Sequence, residues 1–147
     1  MKLSTKARYG TRALLDIALH KDEGAVSLKD VSQRQKISLS YLEQLVTRLV
    51  VAGIVRTKKG VKGGVILSKD SKDIKLSEIV QALEGSWTPV ECVDKPAVCE
   101  RSETCVTRDV WNELKQAMNA VLESTTLQDL VERQHKKDVT KQGMYYI

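Results

Sequence analysis

The two prolines of this chain, Pro89 and Pro96, fall close together, so helix-breaking chemistry is concentrated in one stretch of the sequence. With eight glycines in 147 residues, little else forces the backbone out of a helix. The chain is therefore expected to be largely helical around one compact core. From Thr5 to about His20 the apolar residues Leu14, Leu15, Ile17, Ala18 and Leu19 follow helical spacing, Ser4 stands as the cap and Gly24 as the end. Ser27, with Asp30 three positions on, opens a short second helix that buries Leu28 and Val31, and Gln35-Lys36-Ile37 forms the turn after it. Ser40-Tyr41-Leu42-Glu43 reads as the capping box of a third helix that runs to Ala52 and stops at Gly53. Its residues Leu42, Leu45, Val46 and Leu49 share one face, which leaves Tyr41, Glu43, Gln44, Thr47 and Arg48 outward.

After Gly53 the period changes. Ile54–Thr57 and Val65–Leu67 are β-prone runs flanking Lys58-Lys59-Gly60-Val61-Lys62-Gly63-Gly64, which predicts a hairpin with a cationic tip. Helical pattern resumes near Ser77 and stops at Gly85. Residues 86–104 carry no clear period and read as a long loop. A helix from about Thr107 to Ser124 carries Val110, Leu114, Ala117, Met118, Val121 and Leu122, a shorter one spans Leu127 to Gln134, and a polar, frayed segment follows. The expected class is mainly α with a small β-hairpin wing: a winged helix-turn-helix plus a further long helix. Four parts follow from this, at 1–85, 86–106, 107–134 and 135–147.

Charge narrows the function. Residues 1–75 hold 16 Lys and Arg against 7 Asp and Glu, net +9, whereas 76–147 hold 8 against 12, net −4. A basic module followed by an acidic one points to a polyanion held by the first half. A helix-turn-helix with a basic wing suits duplex DNA, because the third helix fits a major groove with its N-terminal residues at the base edges. Ser38, Ser40, Tyr41 and Gln44 can exchange hydrogen bonds with bases or phosphates. Lys2, Arg48, Lys58, Lys59 and Lys62 can neutralise phosphates. Glu43 either caps its helix or accepts from a cytosine amino group. The Gly-rich loop lacks the G-x-x-x-x-G-K-S/T order and leads into a strand, so it does not match a nucleotide phosphate loop. With no C-x-x-C, no histidine beside a cysteine and no paired carboxylates, an enzyme is disfavoured. The start MKLSTKARYG has no apolar run, and no stretch approaches the roughly 20 apolar residues of a membrane span, so a cytoplasmic protein is expected.

The three cysteines, Cys92, Cys99 and Cys105, are spaced C-x6-C-x5-C. An odd number in a reducing compartment argues against a disulfide framework. Soft thiolates gathered on one segment suit an iron–sulfur cluster or zinc, one ligand short of either usual set, and otherwise act as redox thiols.

MKLSTKARYG, ISLSYLEQL, KGVKGG, IVQALEG and the cysteine segment closing on CVTRDVW together resemble the Rrf-two family of bacterial winged-helix transcriptional regulators. The resemblance covers nearly the whole chain. It implies a homodimer, paired through the helix near 107–124, that sets two recognition helices on a pseudo-palindromic operator, usually as a repressor. It further implies base contacts from Ser40, Glu43 and Gln44 and a minor-groove contact from Lys59, although the family's wing arginine and later aromatic are here Lys59 and Val65. In its IscR-type branch three matching cysteines bind a 2Fe-2S cluster, with a histidine three residues after the third. That position is Arg108 here, and the acidic residue that a partner subunit supplies near position 8 in other members is Arg8. The fourth ligand stays open among Glu103, Asp109 and an exogenous thiol. The apolar end, Gly143-Met144-Tyr145-Tyr146-Ile147, either packs on its own domain or on a dimer mate, or presents Tyr146 and Ile147 to a partner. It resembles the tail of CymR-type repressors of cysteine metabolism, which associate with cysteine synthase. The alternative function is control of that kind, with the cysteines as redox thiols.

Overall fold

A computed structural model of the chain describes residues 2–144. It is mostly helical with one antiparallel hairpin: α1 (Thr5–Leu19), α2 (Leu28–Gln35), α3 (Leu39–Val51), β1 (Val55–Lys58), β2 (Gly64–Leu67), α4 (Leu76–Glu84), α5 (Glu91–Asp94), α6 (Val106–Ser124) and α7 (Leu127–Met144). Ser4 caps α1 through its hydroxyl, which accepts from the Ala7 N–H at 3.2 Å. α1 is the hub, packed against α2, α3, α4 and α7. Leu14, Ile17, Leu42, Leu45, Leu49, Ile79 and Leu83 are fully buried around it, which is the set of helical faces that the apolar periodicity marks. At Gly10 a Cβ would overlap Leu83, so α1 and α4 approach as closely as a glycine allows.

The boundaries differ from expectation at several points. α1 stops at His20, and a 3-10 turn at Lys21–Glu23 intervenes before Gly24, whose φ of 94° suits glycine. Ser27 sits at the N-cap of α2, but its hydroxyl makes no capping hydrogen bond. The cap of α3 is Ser38 rather than Ser40, its hydroxyl accepting from the Tyr41 N–H at 3.4 Å. The helix starts early because Lys36, left-handed at φ 54°, reverses the chain and buries Ile37 at once. Residues 86–104 are not irregular throughout: α5 and a 3-10 turn at Pro96–Val98 lie within them. α7 continues to Met144, where a frayed segment is expected beyond Glu132. Good helix formers and bonds such as Gln134 to Asp138 sustain it without apolar periodicity.

In the hairpin Val55 faces Leu67 and Lys58 faces Gly64. Val26 pairs with Val65 on the other edge of β2. A Cβ at Gly64 would collide with the Val26 carbonyl, so this glycine is what lets the wing lie against the start of α2. Leu127 and Val131 join the same core, and the Leu127 N–H donates to the Ile74 carbonyl at 2.8 Å.

One buried charge holds the N-terminal helices in register. Asp16, 2% exposed, lies on α1 and faces the end of α2. Arg34 donates to its carboxylate from Nη2 at 2.6 Å and from Nε at 3.0 and 3.1 Å, and Gln35 Nε2 donates at 2.8 Å. His20 Nδ1 lies 3.4 Å from the same carboxylate. Removing one partner of a buried, hydrogen-bonded ion pair strands the other. Arg34 keeps 35% of its side-chain exposure and can recover some water. Asp16→Ala is therefore expected to lower the unfolding free energy by about 2–3 kcal/mol, read from the shift of the urea midpoint at constant m. Asp16→Asn, which keeps one acceptor oxygen, loses less.

Candidate nucleic-acid interface

The turn between α2 and α3 is short, so α2 backs α3 and the outer side of α3 is left uncovered. Ser38 at its cap and Ser40, Glu43, Gln44 and Arg48 along it are all exposed. Tyr41 departs from the outward placement expected of it. It is half-buried and meets the edge of Tyr9 on α1, with ring centroids 6.3 Å apart at 76°. Glu43 is not consumed by capping: with Ser38 as the cap it lies beyond the first turn, and only its carbonyl is engaged, by the Thr47 hydroxyl at 2.8 Å. Among the described residues, the side chains of Ser40, Glu43, Gln44 and Arg48 make no hydrogen bond or ion pair with the rest of the chain.

The wing adds a second unengaged set. Lys58 ends β1, Lys59 follows it, and Lys62 lies in the turn closed by the Gly63 N–H to the Gly60 carbonyl at 2.9 Å; all three lysines are exposed. Lys2 is exposed at the N-terminal side of α1. Nearby, the Ser4 N–H donates to Glu84 Oε1 at 2.7 Å, which ties the start of α1 to the end of α4. These groups carry unspent donors and positive charge over an apolar scaffold. That is what a surface for a polyanion with readable edges requires. Sequence reading missed Tyr9, whose ring lies against Tyr41, and Arg12, which bonds Gln35 at the end of α2; linear spacing holds no sign that residue 12 stands beside residue 35.

The cysteine segment leaves the core after Gly85. All three cysteines are free thiols, Cys92 and Cys105 half-buried and Cys99 exposed. Ser102, 5% exposed, donates to the carbonyls of Pro96 at 2.5 Å and Cys99 at 2.7 Å. Arg108 on α6 reaches the Cys92 carbonyl with Nε at 2.9 Å and the Ser102 carbonyl with Nη1 at 3.4 Å. Asp94 pairs with Lys115 and accepts from Ser86, and its carboxyl is held below the usual range chiefly by the Lys115 hydrogen bond. The Cys105 thiol is likewise held below its ordinary value. The chief cause is its hydrogen bond with the Thr107 hydroxyl, followed by the Arg108 N–H at the start of α6.

As a donor set, three free thiols fit an iron–sulfur group. Their arrangement does not yet converge: among the described residues no three Cys, His, Asp or Glu side chains stand together to hold a metal ion. Arg108, three residues after Cys105, offers donors only and spends two on carbonyls. Tyr146 and Ile147 lie outside the described residues.

The Rrf2 family, described as an iron-dependent transcriptional regulator, matches residues 3–133. The chain belongs to the Rrf2 family. It is 46% identical over 131 residues to Protein rrf2 of Nitratidesulfovibrio vulgaris, covering 89% of this chain and 87% of that protein. It is 40% identical over 139 residues to the HTH-type transcriptional regulator IscR of Photorhabdus laumondii, covering 95% and 84%. Among solved structures, CymR, the global cysteine regulator of B. subtilis, superposes with a TM-score of 0.77 at 37% identity, covering 90% of this chain and 98% of that one. These relatives are transcriptional regulators and not enzymes, and their winged-helix fold is the one described above. Among the described residues no helix is long and apolar enough to cross a membrane.

Proposed function

We propose that this chain is a homodimeric repressor that reads a pseudo-palindromic duplex with α3 and the wing and takes its signal at the cysteine segment as an iron–sulfur cluster. The observation that carries the DNA reading is the unengaged face of Ser40, Glu43, Gln44 and Arg48 beside the exposed Lys58, Lys59 and Lys62. The N-terminal part of α3 meets base edges through Ser40, Glu43 and Gln44. Ser38, Tyr41, Lys2 and Arg48 serve the phosphates, and Lys59, a point charge without the arginine fork, follows the backbone at the minor groove. Dimerisation falls to α6. It buries no residue of its own, and Val106, Val110 and Val121 stand 75%, 52% and 62% exposed at helical spacing, an apolar face that a second copy covers.

The cluster reading is supported by the family's description as iron-dependent, by the likeness to IscR and by three cysteines gathered on one segment. Cys92, Cys99 and Cys105 would hold the group, with Glu103, Asp109 or a small exogenous thiol in the fourth place. When bound, it would supply a redox-active iron centre. The residues of this chain give its signal a physical route. Arg108 and the Lys115–Asp94 pair tie the segment to α6, Lys75–Glu123 at 3.1 Å ties α6 to the start of α4, and Glu84 ties the end of α4 to α1. In this division 1–85 reads DNA, 86–106 senses, 107–134 pairs the subunits and completes the core, and 135–147 forms the tail. A second reading, control by cysteine synthase through Tyr146 and Ile147 with the cysteines as redox thiols, is favoured by the likeness to CymR.

On a duplex selected from a random library, Gln44→Ala is expected to relax preference at one base position by about 1–3 kcal/mol, whereas Lys58→Ala and Lys62→Ala each weaken all duplexes and reduce the salt slope by about 1. Anaerobic reconstitution with iron and sulfide is expected to give a coloured protein with bound iron, lost on replacing any of the three cysteines by Ser. A colourless, iron-free product would sink the cluster reading. For the second reading, cysteine synthase is expected to be captured by the intact chain and not by one lacking Ile147; equal capture removes it.

A further inference from the structure

We propose that Arg12 is a positioning residue of the DNA reader: it sets the pitch of α3 through Tyr9 and the end of α2, and is not itself a phosphate contact. The inference rests on the DNA reading given above. Arg12 is an exposed cation in the basic half of the chain, and charge alone would group it with Lys2 or Arg48. Its geometry says otherwise. Nη2 donates to the Gln35 carbonyl at 2.7 Å and Nε to Gln35 Oε1 at 3.3 Å, while Cζ lies 5.3 Å from the centre of the Tyr9 ring. The Gln35 carbonyl is one of the last of α2 and has no acceptor role within its own helix. Arg12 thus caps α2 from outside, at the residue from which the reversal at Lys36 begins.

The same guanidinium sits on a ring that braces the recognition helix. Tyr9 meets Tyr41 edge to face, and Tyr41 lies in the first turn of α3, next to Ser40 and two positions before Glu43. Gln35 in turn donates to Asp16, so Arg12 joins two supports of α3, the ion pair behind α2 and the aromatic pair behind its own first turn. Only Lys36, Ile37 and Ser38 separate α2 from α3. A small rotation in so short a link re-aims Ser40, Glu43 and Gln44 together, and hydrogen bonds to base edges do not survive such a displacement. Arg8 is the natural contrast. It also lies near Tyr9, at 5.8 Å, but among the described residues its side chain bonds Thr5 alone, at 3.5 Å, and forms no ion pair.

The test compares wild type, Arg12→Ala, Arg12→Lys and Arg8→Ala on a selected duplex and on a scrambled one, across a salt series. For Arg12→Ala the expected result is a roughly tenfold loss on the selected duplex, little change on the scrambled one and an unchanged salt slope. Arg12→Lys keeps the charge, loses the planar fork and is expected to follow Arg12→Ala. Arg8→Ala is expected to weaken both duplexes alike and to reduce the slope by about 1. The proposal is overturned if Arg12→Ala behaves like Arg8→Ala, if it binds the selected duplex as wild type does, or if Arg12→Lys restores full preference. Amide exchange of the free protein gives a readout independent of DNA. Arg12→Ala is expected to speed exchange in residues 38–44 and leave 79–83 unchanged, and equal protection in both segments overturns the proposal. Wild-type protein that holds no duplex would instead overturn the DNA reading, with the role of Arg12 still decided by exchange.

Discussion

The buried carboxylate of Asp16 is the constraint on which the arrangement of the N-terminal helices depends. A charge at 2% exposure survives inside a protein only if its lone pairs are filled, and here Arg34 and Gln35 converge on it, while His20 Nδ1 is bonded to the Asp16 backbone carbonyl at 2.8 Å. The convergence fixes more than local packing. It sets the end of α2 against the last turn of α1, and because the link onward is so short, the orientation of α3 follows. Apolar burial of Leu14, Leu42 and Leu49 supplies the cohesion, but apolar faces slide and rotate at small cost. The directional bonds at Asp16 choose one arrangement among those that hydrophobic contact would accept.

Much of this was legible in the residues. The apolar face of α3, the hairpin and its basic tip, and the stop at Gly53 follow from periodicity and glycine placement, and the structure reproduces them. Local signals failed where two of them competed. Ser38 and Ser40 both have capping chemistry, and the S-x-x-E pattern favours Ser40, but burial of Ile37 just after the left-handed Lys36 forces the helix to begin two residues sooner. Tyr41 reads as an outward residue until α1 brings Tyr9 against it. The second half of α7 has no amphipathic face to detect, and residues 135–144 are exposed along its length. The candidate site divides in the same way. Exposed side chains on α3 and the wing are visible in one dimension, whereas Arg12 and the carbonyl contacts of Arg108 depend on approaches between distant segments.

The cysteine segment shows how a loop without an apolar core acquires a definite shape. Its ties are polar and sparse: a buried serine hydroxyl shared between two carbonyls, one arginine spanning two others, and one ion pair to α6. Such contacts are individually modest in water. A segment built from them exchanges arrangements at far lower cost than the helices it connects, which suits a place where a signal is received.

The path of the chain has a mechanical consequence. The excursion that carries the cysteines and α6 departs from Gly85 at one end of α4 and returns at Thr125, whose carbonyl accepts from the Leu76 N–H at the other end, at 2.8 Å. The cysteine segment and α6 are thus spliced into the N-terminal helical unit and not hung from its edge, and together they hold α4 at both tips. A change of shape in the excursion cannot be absorbed by a dangling terminus. It would bear on α4, which lies directly against α1 and α3.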